Sequence, residues 1–279
     1  MRVLSYPRRN FRGVHSIIDV AVRPEFAVRS VTCRDDHRGW SEPEVREVHS
    51  VVLPRRGRFR RLASGVAADV DPAVGYLSVP GEEERFSHPA GGDLCTWLSL
   101  SPATWQLLAG GARSGALYVD ARLDLAHRRL LTADDVDYAL AEELLHLLAI
   151  ALRRPAAGAG GVVAGAAREA IDTGHPAAAS LLGLAELLGV SPYRLSRAFS
   201  RDFGISLTRY RNRVRVGKVL DSLEAGEESL SALAADLGFA DQAHLCRTVR
   251  EHLGHTPTAL RRLLSSRARG RTSAPGSGR

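Results

Sequence analysis

The stretch SLLGLAELLGV (residues 180–190) returns at an offset of 49 as SLSALAADLGF (residues 229–239), and this repeat decides the reading of the chain. Ser180 pairs with Ser229, Leu181 with Leu230, Leu184-Ala185 with Leu233-Ala234, and Leu188-Gly189 with Leu237-Gly238. One extra residue beyond the turn shifts the offset to 50. Leu195 then pairs with Leu245, Arg197 with Arg247, Phe199 with Val249, Gly204 with Gly254, Ser206 with Thr256, and Arg211 with Arg261. In each copy a serine can cap a first helix whose apolar residues recur at i, i+3 and i+7. Gly189 or Gly238 ends it, because glycine enters the left-handed conformation without steric cost. A second helix starts at Ser191-Pro192 or at Asp241, where the cap is good and proline is tolerated in the first turn. Each copy therefore reads as helix–turn–helix.

The second helix of each copy divides into two faces. Leu195, Ala198 and Phe199 point inward in the first, and Leu245 and Val249 in the second. Tyr193, Arg194, Ser196, Arg197 and Arg201 are left to face outward, as are Gln242, Ala243, His244, Cys246, Arg247 and Arg250. Arginine can pair bidentately with guanine, glutamine with adenine, and serine with several base edges. Asp202 and Glu251 would repel phosphate, which places the reading portion in the first two turns. An array of helical pairs for protein interaction is the rival reading, but two copies are too few for a solenoid and leave the arginines unexplained. Between the copies, Leu207, Tyr210, Val214, Gly217 and Leu220 follow helical spacing. A stiff connector here would hold two reading heads to successive major-groove faces about 34 Å apart. Arg211, Arg213 and Thr256 would meet phosphates, which position without specifying.

Charge follows the same division. The chain has 279 residues and a net charge of +7. The excess concentrates between residues 191 and 218, where Arg194, Arg197, Arg201, Arg209, Arg211, Arg213, Arg215 and Lys218 face the single acid Asp202. Such a run favours a polyanionic partner, although a solvated helix face can carry the same pattern. Hydrophobic residues at 44% and charged residues at 25% allow two cores without disulfides. Three cysteines are too few and too scattered for a disulfide framework, and the expected compartment is the cytoplasm. No apolar run is long enough to span a membrane, and MRVLSYPRRNFRG at the start lacks the apolar core of a signal peptide.

Upstream of the repeat the pattern changes. Residues 17–22, 26–33, 45–53, 74–79 and 94–100 read as short strands separated by turn-formers, which predicts an antiparallel barrel or sandwich. Residues 102–110 read as a short helix. Residues 133–153 read as a longer one capped by Thr132, with Leu140, Leu144, Leu147 and Ala151 on one stripe and Leu145, Leu148 and Leu152 on another. Its wide apolar face needs cover from two sides, by the strands and by either a second subunit or the same chain. Residues 155–161 read as a flexible linker and residues 267–279 as a disordered basic tail.

The segments LAELLGVSPYRLSRAFSRDFGISLTRYRNRVRVGKVLDSL and LAADLGFADQAHLCRTVREHLGHTPTALR resemble the DNA-binding domain of the AraC/XylS-type regulators. The most specific signatures are GF-x-D-Q (residues 238–242) and G-x-TP (residues 254–257). The resemblance covers about 100 residues. It implies base contacts at Tyr193, Ser196, Arg197, Gln242, Ala243 and Arg247, although Ala243 has no hydrogen-bonding side chain. Val249 and Leu260 stand where the family often has aromatic residues. The N-terminal part resembles, less specifically, the cupin-like domains of that family. This implies an effector-sensing or regulatory domain.

The expected architecture is thus α+β. It comprises a cupin-like antiparallel β-barrel over residues 1–130, a helical linker with a possible dimerisation helix over 131–160, and a double helix-turn-helix domain over 161–266. In the strand region, Cys33, His37, His49, His88 and Cys95 could converge as a metal site. No pair has the tight spacing of a structural zinc motif, so the expected role is packing, with no metal or cofactor. Trp40, Tyr76, Phe86, Trp97 and Trp105 could line a pocket or simply pack. Glu82-Glu83-Glu84 reads as a solvated turn. The function these readings imply is a non-enzymatic transcription regulator. Its partners would be double-stranded DNA, a small-molecule effector, a second copy of the chain and, for an activator, RNA polymerase. The alternative is a metal-binding cupin enzyme with a helical appendage, for which the sequence offers no His-x-His in the strand region.

Overall fold

The computed structural model describes residues 14–110, 112, 114–133, 135, 138–152, 156–157 and 161–265. The eleven strands found there are β1 (Val14–Val22), β2 (Phe26–Cys33), β3 (Glu44–Val45), β4 (His49–Arg56), β5 (Phe59–Ala63), β6 (Val66–Val70), β7 (Val74–Ser78), β8 (Glu83–Ser87), β9 (Asp93–Leu100), β10 (Gly115–Tyr118) and β11 (Ala156–Ala157). The helices are α1 (Pro102–Ala109), α2 (Ala121–Thr132), α3 (Ala139–Ala151), α4 (Val162–Asp172), α5 (Leu181–Leu187), α6 (Pro192–Phe203), α7 (Leu207–Glu224), α8 (Leu230–Asp236), α9 (Gln242–Leu253) and α10 (Pro257–Ser265). By contact these elements fall into two compact units. One runs to Val119 and resumes over Ala151–Ser206, and the other joins Asp120–Ile150 to the chain from Leu207 onward.

The first unit is built on two antiparallel sheets, of order β1-β2-β9-β4-β7-β10-β11 and β3-β8-β5-β6. They do not close into the expected barrel: β1 pairs with β2 alone and the two-residue β11 with β10 alone, which leaves both edges of the larger sheet open among the described residues. Alternation along the strands turns Val52, Tyr76, Cys95 and Trp97 of one sheet towards Phe59 and Val70 of the other, and this layer is the core. Glu84 is fully buried in this unit, not solvated as its acidic run suggested. Arg61 donates to it at 2.6 Å and Arg46 also binds it. Burial alone would raise the Glu84 pKa, but the two guanidiniums hold it below the ordinary carboxylate value.

The same unit carries the first helical repeat. α4 lies against α6, and Arg168 of α4, 4% exposed, pairs with Asp71 in the turn between β6 and β7. Its guanidinium also sits 5.6 Å from the centre of the Phe203 ring at the end of α6.

The second unit has its own core. Ala121 and Leu125 of α2 pack with Val216, Val219, Leu220 and Leu223 of α7, with Leu233 and Ala234 of α8, and with Leu245, Val249 and Leu253 of α9. The helix expected over residues 133–153 begins at Ala139, and Thr132 is the last residue of α2. The Thr132 hydroxyl bonds back to the Arg128 carbonyl at 3.1 Å, so it closes one helix and does not cap the next. Leu140, Leu144, Leu147 and Leu148 are buried by the chain itself, while Leu145 is half exposed. Part of the expected linker, Ala156–Ala157, pairs as a strand with β10; Pro155 and residues 158–160 lie outside the described residues, as do 266–279.

Candidate nucleic-acid interface and inter-sheet cavity

Both repeats form as capped helix pairs. Ser180 and Ser229 accept backbone N–H bonds from Gly183 and Ala232, at 3.0 and 3.2 Å. The turns pass through Gly189 and Gly238 at φ of 63° and 67°, a conformation a residue with Cβ adopts only under strain. Ser191 Oγ caps α6 by accepting from the Arg194 amide at 3.2 Å, and Asp241 caps α9 by accepting from the His244 amide at 2.6 Å.

The burial of α6 matches its sequence pattern. Leu195, Phe199 and Phe203 are inside, Tyr193, Arg194, Arg197 and Arg201 are exposed, and Ser196 is half-buried. Arg197 donates to the Tyr193 hydroxyl at 2.8 Å, one helical turn away, and its guanidinium lies 5.5 Å from the tyrosine ring. Tyr193 thereby limits where Arg197 points. Arg201 is held to Asp202 at 2.8 Å, and Asp202 also accepts the Gly161 amide at 2.8 Å. Those bonds, led by that from Arg201, hold the Asp202 carboxyl below its usual pKa. Asp202 therefore joins the start of α4 to the end of α6, in addition to any effect on phosphate.

On α9, Leu245, Thr248, Val249 and Leu253 are buried, and Gln242, Ala243, Arg247 and Arg250 are exposed. His244 turns back onto the turn: its Nδ1 accepts the Ala240 amide at 3.2 Å and its ring meets Phe239 edge-on at 5.5 Å. Arg215 of α7 donates to the Gly238 carbonyl and lies 4.7 Å from the Phe239 ring, bracing the same turn.

The residues expected to contact phosphate differ in burial. Arg211 is half-buried and Thr256 Oγ1 caps α10 by accepting the Ala259 amide at 3.2 Å. Arg213 is only 6% exposed and lies 3.9 Å from Asp124 of α2, so the expectation that it meets phosphate is corrected. The charge run in the sequence hid this, because a count of arginines does not register which face of α7 each occupies.

Between the two sheets lies a cavity of about 120 Å³. Val52, Phe59, Tyr76, Phe86 and Trp97 line its apolar wall, and Cys33, His37, His88, Asp93 and Cys95 its polar end. His88 Nε2 is 3.1 Å from Asp93 Oδ1, and the His37 and His88 rings are 5.2 Å apart. Burial pushes His88 down, but hydrogen bonding to Asp93 and Cys33 outweighs it and carries the imidazole up to about 9. Cys95 donates to Asp93 Oδ2 at 2.9 Å, and burial pushes its thiol up. His49 is elsewhere, stacked on Trp105 at 4.6 Å, and Trp40 lies exposed beneath Arg60. Sequence reasoning missed Asp35 and Asp93 as members of this group. The alternation Cys33-x-Asp35-x-His37 after a strand was the available signal, since every second residue shares a face.

A family described as a helix-turn-helix domain matches residues 184–263. The chain is 40% identical over 81 residues to the HTH-type transcriptional regulator RipA of Corynebacterium glutamicum, covering 29% of this chain and 24% of that protein. It is 33% identical over 89 residues to the transcriptional activator RhrA of Rhizobium meliloti, covering 31% of this chain and 28% of that one. The matched stretch thus spans about a quarter of the length of these relatives. Among solved structures, apo ToxT of Vibrio cholerae aligns at 10% identity and a TM-score of 0.38, covering 87% of this chain and 98% of that one.

Proposed function

We propose that this chain, whose residues 184–263 match a helix-turn-helix domain family, is an AraC/XylS-type, sequence-specific DNA-binding transcription regulator that responds to a small molecule. The observation that carries the reading is the matched construction of α6 and α9. Each buries an apolar stripe and presents exposed arginine beside a second polar side chain in its first turns, Tyr193 with Arg194 and Arg197 on one, Gln242 with Arg247 on the other. Arg197 and Arg247 would pair with guanine and Gln242 with adenine. Arg211 and the capped start of α10 at Thr256 would meet the backbone. No described helix is long and apolar enough to cross a membrane, and the cytoplasm is the compartment where such a regulator works.

The inter-sheet cavity supports an effector site, with an apolar wall for a small ligand's body and a polar end to orient it. Differential binding of that ligand to two conformations would shift DNA affinity. A second copy of the chain would meet the exposed Leu145 and Tyr138 side of α3, and an activator would in addition contact RNA polymerase. The regulator reading is favoured over a metal-dependent oxygenase, because the family match and the curated transcriptional regulators align on the helix pairs.

The test is binding-site selection with the purified full chain, followed by anisotropy titrations of the selected duplex. Arg197→Ala and Arg247→Ala should each weaken binding by roughly 1–3 kcal/mol and relax preference at one base position. Unchanged affinity in both variants would refute these reading faces.

A further inference from the structure

Reading DNA makes no use of the polar end of the cavity. There Cys33 Sγ, an Asp35 carboxylate oxygen and a His88 ring nitrogen all lie within 4.8 Å of one another. Cys33 is the last residue of β2, Asp35 follows in the loop, and His88 comes directly after β8. We propose that these three side chains bind a divalent transition-metal ion of the zinc type, leaving one coordination position open to the inter-sheet cavity. The inference stands on the sheets alone and does not depend on the helix pairs reading DNA.

The donor set selects the ion. A thiolate, an imidazole and a carboxylate together suit zinc and its neighbours, whereas magnesium and calcium favour oxygen alone. Bond lengths near 2.0–2.3 Å in a tetrahedron put donor atoms roughly 3.5 Å apart. The three donors need to draw in by only about an ångström from their present spacing to reach that geometry.

The surroundings are those of an oriented ligand set. His88 is 8% exposed, with Nε2 3.1 Å from Asp93 Oδ1 and Nδ1 buried. A carboxylate beside one ring nitrogen orients a histidine so that the other can ligate. Asp35 is oriented by His37 Nδ1 at 3.0 Å. The loop carrying both is pinned to the strand beside it: the His88 amide donates to the His37 carbonyl at 2.9 Å, the Ser41 amide to the Phe86 carbonyl at 2.8 Å, and Ser87 Oγ to the Arg38 carbonyl at 2.9 Å. Cys33 and His88 line the cavity, so the remaining position faces it and can hold an exchangeable water or the polar head of a small ligand.

Cobalt(II) is the probe. The tag-free full chain, stripped with chelator and kept reduced, is titrated with cobalt chloride and followed by absorbance. The expected result is one equivalent bound, with a thiolate-to-cobalt charge-transfer band in the near ultraviolet and visible bands of tetrahedral strength, displaced by zinc. Cys33→Ser removes the charge-transfer band. Asp35→Asn and His88→Gln weaken binding by more than about tenfold, while Cys95→Ser changes neither band nor stoichiometry. Circular dichroism and a melting curve accompany each variant. Asp35 sits in a loop, so Asp35→Asn keeps the test decisive should Cys33→Ser fail to fold. Absence of a thiolate band in the wild type, its persistence in Cys33→Ser, or its loss in Cys95→Ser alone would overturn the assignment.

Discussion

Arg168→Ala should destabilise the sheet-bearing unit by about 3 kcal/mol, and the structure shows where the figure comes from. Arg168 and Asp71 are 4% and 5% exposed and ion-paired. Removing one partner of a buried pair leaves the other charged and uncompensated, a loss of roughly 3–5 kcal/mol. Asp71 retains the backbone amides of Ala73 at 2.9 Å and Val74 at 3.2 Å, which places the loss at the lower end. The guanidinium also gives up its contact with the Phe203 ring. Urea unfolding followed by tryptophan fluorescence measures this directly, because Trp40, Trp97 and Trp105 all belong to this unit. Arg168→Met combined with Asp71→Asn should recover most of the loss, since a pair replaced as a whole strands no charge. A single-variant loss under about 1 kcal/mol, or strict additivity in the double-mutant cycle, would refute the account of Arg168 as the tie between the β6–β7 turn and α6.

Arg211→Gln should lower the slope of log affinity against log salt by about 0.9, whereas Arg213→Gln should leave that slope unchanged and lower stability instead; equal slopes for wild type and Arg211→Gln would remove the phosphate contact. Asp124 gives an acid-sensitive contribution to the helical unit. Burial alone would raise its pKa, but Arg128 and Arg213 hold it below the ordinary value. Its stabilisation is therefore complete above the unfolded carboxylate range near pH 4 and lost as pH falls through the lower folded value; stability between pH 2 and 6 should fall less steeply in Asp124→Asn than in wild type. Gly75→Ala should destabilise by roughly 1–3 kcal/mol, read as a lower melting temperature, because a Cβ there would stand 2.4 Å from the Val52 carbonyl oxygen.

The helical repeat was legible because its determinants are local. A serine or aspartate cap, an apolar stripe and a turn glycine lie within a dozen residues of one another, and each does the same work in both copies. The strands that escaped notice are different in kind. FRRLA, VAADV and EERFS are rich in arginine, alanine and acids, and they become strands through pairing with one another (β5 with β6 and β8) and through the Arg61–Glu84 ion pair. The same limit hid the role of α2. Its partners Val216, Leu220, Leu245 and Val249 lie some ninety or more residues downstream, and no window around Leu125 contains them. Arg213 failed as a phosphate ligand for that reason too, since the residue it faces is Asp124 on α2. The candidate metal ligands were visible as residue types, but only pinning of the loop after β2 against the end of β8 brings Asp35 to Cys33 and His88.

The two helices proposed to read DNA are not equivalent, and the asymmetry follows from the other contacts each one makes. On α6 the tyrosine hydroxyl and ring restrain Arg197, so less side-chain entropy remains to be lost when that guanidinium meets a base. On α9, Arg247 has no such partner among the described residues, and the neighbouring histidine is engaged with the turn, accepting the Ala240 amide. Under the proposed reading, discrimination by α9 would lean on Gln242, whose amide can pair bidentately with adenine, and on an arginine that must be ordered on contact. The consequence is an unequal half-site: α6 should impose the sharper base preference, and Tyr193→Phe, which deletes the hydroxyl but keeps the ring, should blunt that preference while leaving the base specified by Arg247 untouched. Equal loss of preference at both positions in Tyr193→Phe would mean that the hydroxyl acts on the fold of the domain and not on the aim of Arg197.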